Sequence, residues 1–489
     1  MSDLLVSMPP SESGQRGSIA ASETQPADAR REWGLYALCG FFLLAYYLSP
    51  HPALAVLGAA GFTALAYLRL DLALLFVLFA APFYRFPKTF GTLEFSLVEL
   101  AVLGCFAAWV FRGDWRKLLS MVSTLWGGKS SLPHARELAM YCLPALLFGL
   151  AATASLSTSE MLKVSLREYR VVVVEPMLFF VMLLTTLNGE RHVWRYLNAF
   201  VALGTGMAVF GLYHYFFVGI VEQVGGVERM LAIYHSPNAL GLLLGRVASA
   251  TLPLAIFAMG RRSSTSADGP LHRAVYAVAA LIILVCLFFT YSRGAWIGVV
   301  AALLLCAALQ GRRLLLATGG LVLAAALAGA VFFWERLASW NTTFRRVYVW
   351  QSALEMWRDR PLFGVGLDNF LYFYPDYMKD EAAIEPTLSH PHNLVLDYAT
   401  RLGILGVISL AWSQAVFWLA GLRLYRHASR HSVRLVALAL MASMADFLVH
   451  GLVDNSYFLI DLAYVFWLTI GLLAGIIKVE DARVTVEET

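Results

Sequence analysis

The feature that most constrains this chain is the recurrence of apolar runs near membrane-spanning length. They fall at about 33–48, 52–68, 70–84, 96–111, 138–154, 170–187, 196–218, 237–260, 273–290, 294–310, 314–333, 393–420, 435–453 and 457–477. A straight helical span needs about 20 residues. Several early runs are shorter and read as spans or as re-entrant pieces. Lipid offers no partner to a bare peptide group, so each crossing segment must satisfy its own backbone. The alternating ten-residue pattern of an outer-membrane barrel is absent. The expected fold is all-α, a polytopic integral membrane helical bundle of about 12–14 transmembrane helices with one long ordered outer loop.

Composition excludes the soluble alternatives. Hydrophobic residues make up 59% and charged residues 14% of the 489 residues, too little polar surface to cover the chain in water. The formal net charge of +4 implies no nucleic-acid partner. Cys39, Cys105, Cys142, Cys286 and Cys306 all fall inside apolar runs and read as small core residues.

Residues 1–32 are rich in Ser, Ala, Pro and charge and read as a disordered cytoplasmic tail without a secretory signal. The predicted order is then a first membrane part at 33–333, a loop with amphipathic helices at 334–392, C-terminal spans at 393–478 and a short cytoplasmic tail at 479–489. Alternate loops carry Arg112, Arg116 and Lys117; Arg191 and Arg195; Arg261, Arg262 and Arg273; Arg312 and Arg313; Arg423, Arg426, Arg430 and Arg434. The positive-inside bias makes those loops cytoplasmic, and an even span count puts both termini there too.

Four arginines break that bias. Arg229 precedes Pro237, Arg293 sits in the tight turn Tyr291-Ser292-Arg293-Gly294, and Arg345 and Arg346 open an amphipathic stretch of the long outer loop. Snorkelling at the interface is one reading, although Arg293 has little freedom for it. The loop ends in Leu388-Ser389-His390-Pro391-His392-Asn393. Pro391 suits a first helical turn, which would place His392 and Asn393 at a helix mouth. A histidine there can serve as a general base. A capping cluster with interfacial histidines is the bland alternative. With no cysteine and no obvious carboxylate set beside the histidines, a metal site is not expected, and no cofactor is. Arginine gives paired N–H bonds to phosphate oxygens. Arginines plus a histidine at an outer membrane face therefore fit glycosyl transfer from a polyprenyl-diphosphate glycan, an inverting displacement that needs one base.

These residues also resemble the O-antigen ligase and polymerase superfamily, which includes the WaaL ligases, the Wzy polymerases and the protein O-oligosaccharyltransferases. The ligase signature is His, then Asn, Ser or Gln, nine residues, and Gly-x-x-Gly. His392-Asn393 is followed by Leu394 to Leu402 and then Gly403-Ile404-Leu405-Gly406. Tyr291-Ser292-Arg293-Gly294-Ala295-Trp296 and the stretch from Trp350 through Pro361-Leu362-Phe363-Gly364-Val365-Gly366 are similar to the family as well. The resemblance covers roughly 213–406. It implies a GT-C-like bundle acting without metal, at the periplasmic face of a bacterial inner membrane, on undecaprenyl-diphosphate-linked glycan. The acceptor would be a glycan or a lipid A core, with membrane lipids around it. His392 would be the base, with Arg229, Arg293 and Arg346 on the donor diphosphate and His390, Asn393, Asp454 and Tyr291 in support. The family often has leucine four residues after an essential arginine, whereas Ile297 follows Arg293 here.

Weaker candidates remain. Asp446, His450 and Asp454 share a helical face by i, i+4, i+8 spacing and read as a polar network, as support of the outer site through Asp454, or as a proton path. Glu175 reads as a paired buried carboxylate. Asn341-Thr342-Thr343 is a chance glycosylation match. Asp368 and Asn369 form a turn or bind sugar hydroxyls. A Wzy-type polymerase is the alternative within the superfamily. A transporter would show paired broken helices at mid-membrane or repeated halves, and neither is evident. A scaffold would leave the His-Asn and arginine groups unexplained.

Overall fold

Helices form along the apolar runs, and the ends of those helices build the site. The computed structural model describes residues 26–90, 93–124, 127, 135–224, 226–257, 270–332, 341–380 and 387–487. Most of the expected N-terminal tail, with Arg261 and Arg262, lies outside the described residues. The chain opens with α1 (Pro26–Leu48), α2 (Pro52–Leu68) and α3 (Leu70–Ala80), so helix already occupies the end of the tail drawn at 1–32. There follow α4 (Leu97–Phe111), α5 (Trp115–Ser123), α6 (Ala135–Ser155), α7 (Leu162–Glu168), α8 (Glu175–Thr186) and α9 (Glu190–Tyr213). The middle of the chain forms α10 (Pro237–Phe257), α11 (Pro270–Thr290), α12 (Arg293–Gln310) and α13 (Arg312–Phe332). The long loop contains α14 (Asn341–Asp359) and α15 (Phe370–Tyr377), and the chain closes with α16 (Leu394–His427), α17 (His431–Gly451) and α18 (Ile460–Glu487). The tail drawn from 479 thus begins inside α18.

Among the described residues, ten helices are long and apolar enough to cross a membrane, and Pro52–Leu68 and Leu97–Phe111 are shorter apolar helices. The protein is a polytopic helical membrane protein. Two small antiparallel hairpins interrupt the helices, β1 (Lys88–Phe90) with β2 (Leu93–Phe95) and β3 (Val221–Val224) with β4 (Val227–Met230).

α10, α17 and α18 lie at the centre, with 78%, 78% and 89% of their spanning windows buried, whereas α13 buries none of its span. α10 packs on α11 and α17, and α12 packs on α17. Glycines permit the closest approaches. A Cβ on Gly241 of α10 would meet Ser292, and one on Gly245 would meet the Asp446 carboxylate.

The long loop between α13 and α16 folds on its own small core. Val349, Ala353 and Met356 of α14 bury against Val365, Phe370, Phe373 and Tyr374, with Leu388 and Leu396 at the edge. That cap is bolted to α16 at a break in the helix. Gly403 takes φ 67° and ψ −160° inside α16, a region essentially open to glycine alone. The break frees backbone groups for the loop. Ile404 N donates to Pro361 O at 2.8 Å, and Val365 N donates to Thr400 O at 2.7 Å. A Cβ at Gly403 would strike the Leu362 carbonyl, and one at Gly364 would strike the Thr400 carbonyl. The glycines of Gly403-Ile404-Leu405-Gly406 and Pro361-Leu362-Phe363-Gly364 are thus two halves of one joint.

Candidate active site

The segment before α16 does not enter the helix as its proline suggests. Asn393 is the N-cap, its side-chain oxygen accepting from Val395 N and Leu396 N, both at 3.1 Å. The helix therefore begins at Leu394 and leaves His392 outside the first turn, in the left-handed region at φ 51°. A β-carbon makes that conformation costly by about 1–2 kcal/mol. Surrounding bonds hold it. Asn393 Nδ2 donates to Leu452 O at 3.0 Å, and Trp350 Nε1 of α14 donates to His392 O at 3.4 Å.

Asp454 is the partner that fixes the imidazole. It lies in the turn past the end of α17 at Gly451, so it leaves the helical face that its spacing from Asp446 and His450 suggests. His392 Nδ1 and Asp454 Oδ1 are 3.0 Å apart, and His390 Nε2 lies 3.6 Å from the same oxygen. The two imidazole rings sit 4.3 Å apart at a steep angle. Both are half-buried, and Asp454 is almost wholly buried. Burial alone would raise the Asp454 carboxyl, but the two histidines and Arg346 hold it well below the usual carboxylate range. Burial pushes His390 down.

The expectation that no carboxylate joins the histidines is therefore corrected. Asp454 stands 62 residues from His392 in sequence and is brought in by the fold. The ligand atoms of His390, His392 and Asp454 lie within 4.8 Å of one another, so among the described residues these three side chains could hold a metal ion.

The three candidate arginines stand on three different elements, and Arg346 is the one with a contact to Asp454 among the described residues. Arg346 of α14 donates through Nη1 to Val453 O, and its Nη2 lies 4.0 Å from Asp454 Oδ2. Arg229 of β4 donates through Nε to Thr290 O at 2.9 Å and through Nη2 to Asn238 Oδ1 at 2.7 Å. Thr290 ends α11 and begins the corner that carries Tyr291, at φ 49°, and Arg293, the exposed first residue of α12. Phe288 stacks on Trp296, and Tyr291 packs on both, which pins that corner. The corner reaches the histidine site through Gly294, whose Cβ position is 3.0 Å from Val453, the neighbour of Asp454. Ile297, the departure from the family leucine, is 54% exposed.

Sequence reasoning misses Arg401. It is buried, with Nε on Asp397 Oδ1 at 2.7 Å, Nη1 on Glu168 at 2.6 Å and Nη2 on Ser389 O at 3.2 Å. It ties α7, α16 and the residue next to His390 together. An Asp-Arg pair at i, i+4 inside an apolar run is the signal that could have found it. Asn369 is buried structure, its Oδ1 accepting from Met161 N at 2.9 Å and its Nδ2 donating to Ser165 at 2.6 Å. Asp368 lies 3.9 Å from Arg401. The Tyr464 hydroxyl lies 3.5 Å from Glu175. The side chains of Asp446 and His450 are buried without a hydrogen-bond partner among the described residues.

Residues 278–411 match the model of the family described as O-Antigen ligase. That segment is similar to the O-antigen ligase/polymerase superfamily. No curated protein matches the chain. The matched segment contains the Tyr291–Trp296 corner, the Pro361–Gly366 loop and the His392–Gly406 motif, whereas Arg229 and Asp454 lie outside it. The ligase domain points to ligase or polymerase activity of the glycosyltransferase type, on glycan or lipid-linked substrates, in a multi-pass membrane protein.

Proposed function

We propose that this ligase-domain protein transfers a glycan from undecaprenyl diphosphate to an acceptor hydroxyl at the periplasmic face of the inner membrane. The supporting observation is the 3.0 Å contact of His392 Nδ1 with the buried Asp454 carboxylate. A carboxylate on one nitrogen holds that nitrogen protonated and leaves the lone pair on the other. Nε2 then takes the acceptor proton while the acceptor oxygen attacks the anomeric carbon. The bond to the diphosphate oxygen breaks as the new glycosidic bond forms, with inversion. The proton rests on the imidazolium, which Asp454 stabilises. The electron pair leaves with the diphosphate, whose charge Arg229, Arg293 and Arg346 offset. No step needs a metal.

A polymerase would use the same chemistry with a second lipid-linked glycan as acceptor, and the same residues would act. The purified protein, with a lipid-linked donor and an added chelator, tests the reading. His392→Ala should lose about 10²–10⁴-fold in rate, the usual contribution of a general base, and His390→Ala should lose less. Activity that vanishes on chelation would replace the base with a metal centre on His390, His392 and Asp454.

A further inference from the structure

A second polar site lies at the far end of the bundle from His392. α18 starts beside the Asp454 turn, and Lys478 comes 18 residues later, about 27 Å away at 1.5 Å per residue. There Lys478 Nζ donates to Leu187 O at 3.1 Å and to Asn188 Oδ1 at 3.0 Å. Asn188 lines a cavity of about 270 Å³ shared with Arg69, Arg112, Lys117, Asp71 and Asp114.

The charges there are layered. Asp71 and Asp114 are 13% and 11% exposed, whereas Arg69, Arg112 and Lys117 are 34–40% exposed. The carboxylates form the floor and the cations the rim. The floor does not use up the rim's donors. Arg69 spends Nε and Nη2 on Asp71, and Arg112 spends Nε on Asp114 and Nη1 on the Tyr67 carbonyl. Among the described residues, Arg69 Nη1, Arg112 Nη2, two Lys117 protons and Asn188 Nδ2 are left over. Glu32 adds a third carboxylate, shared by Arg69, Arg191 and Arg195, and Arg195 also bonds Asp71. With Arg112, Lys117 and the neighbouring Lys478, six cations face three carboxylates, so the cluster around the cavity carries net positive charge.

The rim continues into apolar surface. Leu68 lines the cavity and is 63% exposed, and Phe111, next to Arg112, is 79% exposed. α5 begins there with Trp115, whose ring carries the Arg116 guanidinium at 5.5 Å. Trp at such a place marks the depth of lipid headgroups.

We infer that this cavity binds the phosphate of an anionic phospholipid headgroup, with the acyl chains lying against Leu68 and Phe111. A basic pocket between helix ends at headgroup depth suits a phosphodiester. The apolar rim favours a lipid over a free phosphate, which would leave Leu68 and Phe111 without a role. The site stands apart from the chemistry at His392, and its test does not use transfer activity.

The full chain, purified in detergent, is titrated with short-chain phosphatidylglycerol, short-chain phosphatidylcholine or inorganic phosphate while the thermal unfolding midpoint is read. A ligand of the native state raises that midpoint. Phosphatidylglycerol should raise it, and the other two should not. Lys117→Gln leaves Arg112 on Asp114 and should weaken the half-saturating concentration about fivefold, equivalent to the ~1 kcal/mol of one cation near an anionic surface. Asn188→Ala removes a neutral donor without touching an ion pair and should also weaken it. Arg313→Gln, on an exposed cation at the same end of the bundle, should leave it unchanged. An equal shift with inorganic phosphate would overturn the lipid assignment. No shift with phosphatidylglycerol, or equal weakening by Arg313→Gln, would overturn the site.

Discussion

Which ring nitrogen of His392 is left for chemistry depends on Asp454. With Nδ1 held at 3.0 Å, the ring cannot turn its other nitrogen inward without losing a buried charge-assisted bond. Asp454→Asn keeps the shape but removes the charge that favours the imidazolium, and its amide can donate to Nδ1 and fix the wrong tautomer. It should lower kcat about 10²-fold, within the ~10²–10⁴ of a general base, while KM for the donor moves little. Unchanged kcat in that variant would show that Asp454 does not support the base. Arg293 is a different matter, because it faces outward at the first residue of α12. Arg293→Lys keeps the charge and loses the planar fork, so it should raise KM for the lipid-linked donor by the equivalent of ~1.5–3 kcal/mol. Wild-type KM in Arg293→Ala, with normal insertion, would remove it from the diphosphate. Both residues can be singled out in the sequence as polar groups at outer helix ends. That Asp454 meets His392 is not legible there, because no local rule reports a pairing across 62 residues.

At the scale of elements, the long helices are legible because a bilayer leaves few options. A run such as the one that starts at 237 can only be a helix, and Pro237–Phe257 is one. The break in α16 is not legible in the same way, since apolar residues continue on both sides of Gly403 and keep the helical period. The signal lies in the glycine and in its distant partner, the loop from Pro361 to Gly366. Pro391 misleads because the stronger cap, Asn393, lies two residues later and sets the helix start. The joint gives a sharp test. Gly403→Ala places a β-carbon against the Leu362 carbonyl in a conformation that costs about 1–3 kcal/mol for other residues. It should lower the unfolding midpoint and, by loosening the loop that seats Trp350 and Arg346, reduce kcat as well. Gly319→Ala in α13 meets nothing within 4 Å and serves as the control, expected to match wild type. Equal stability of the two variants would show that the break is not held by that contact.

The whole molecule carries its histidine site and its basic cavity at opposite ends, so one orientation decides both proposals. The loops with Arg191 and Arg195 and with Arg312 and Arg313 lie at the cavity end, and short loops rich in arginine stay in the cytoplasm. Lys379 lies at the other end, in the cap over His392, where its Nζ meets Glu355 of α14 at 2.6 Å. The native cysteines suit a labelling experiment. Cys39, Cys105, Cys286 and Cys306 are buried and Cys142 is half-buried, so background reaction should be low. A membrane-impermeant maleimide applied to cells with a permeabilised outer membrane should label Lys379→Cys. Arg313→Cys should react only after the inner membrane is opened. The reverse pattern would put His392 in the cytoplasm, where the proposed periplasmic transfer has no place, and the basic cavity against the outer leaflet. Labelling of both positions before lysis would indicate leaky cells, which a cytosolic marker enzyme released into the medium identifies. With that control in place, the labelling pattern fixes the side on which the acceptor hydroxyl must arrive.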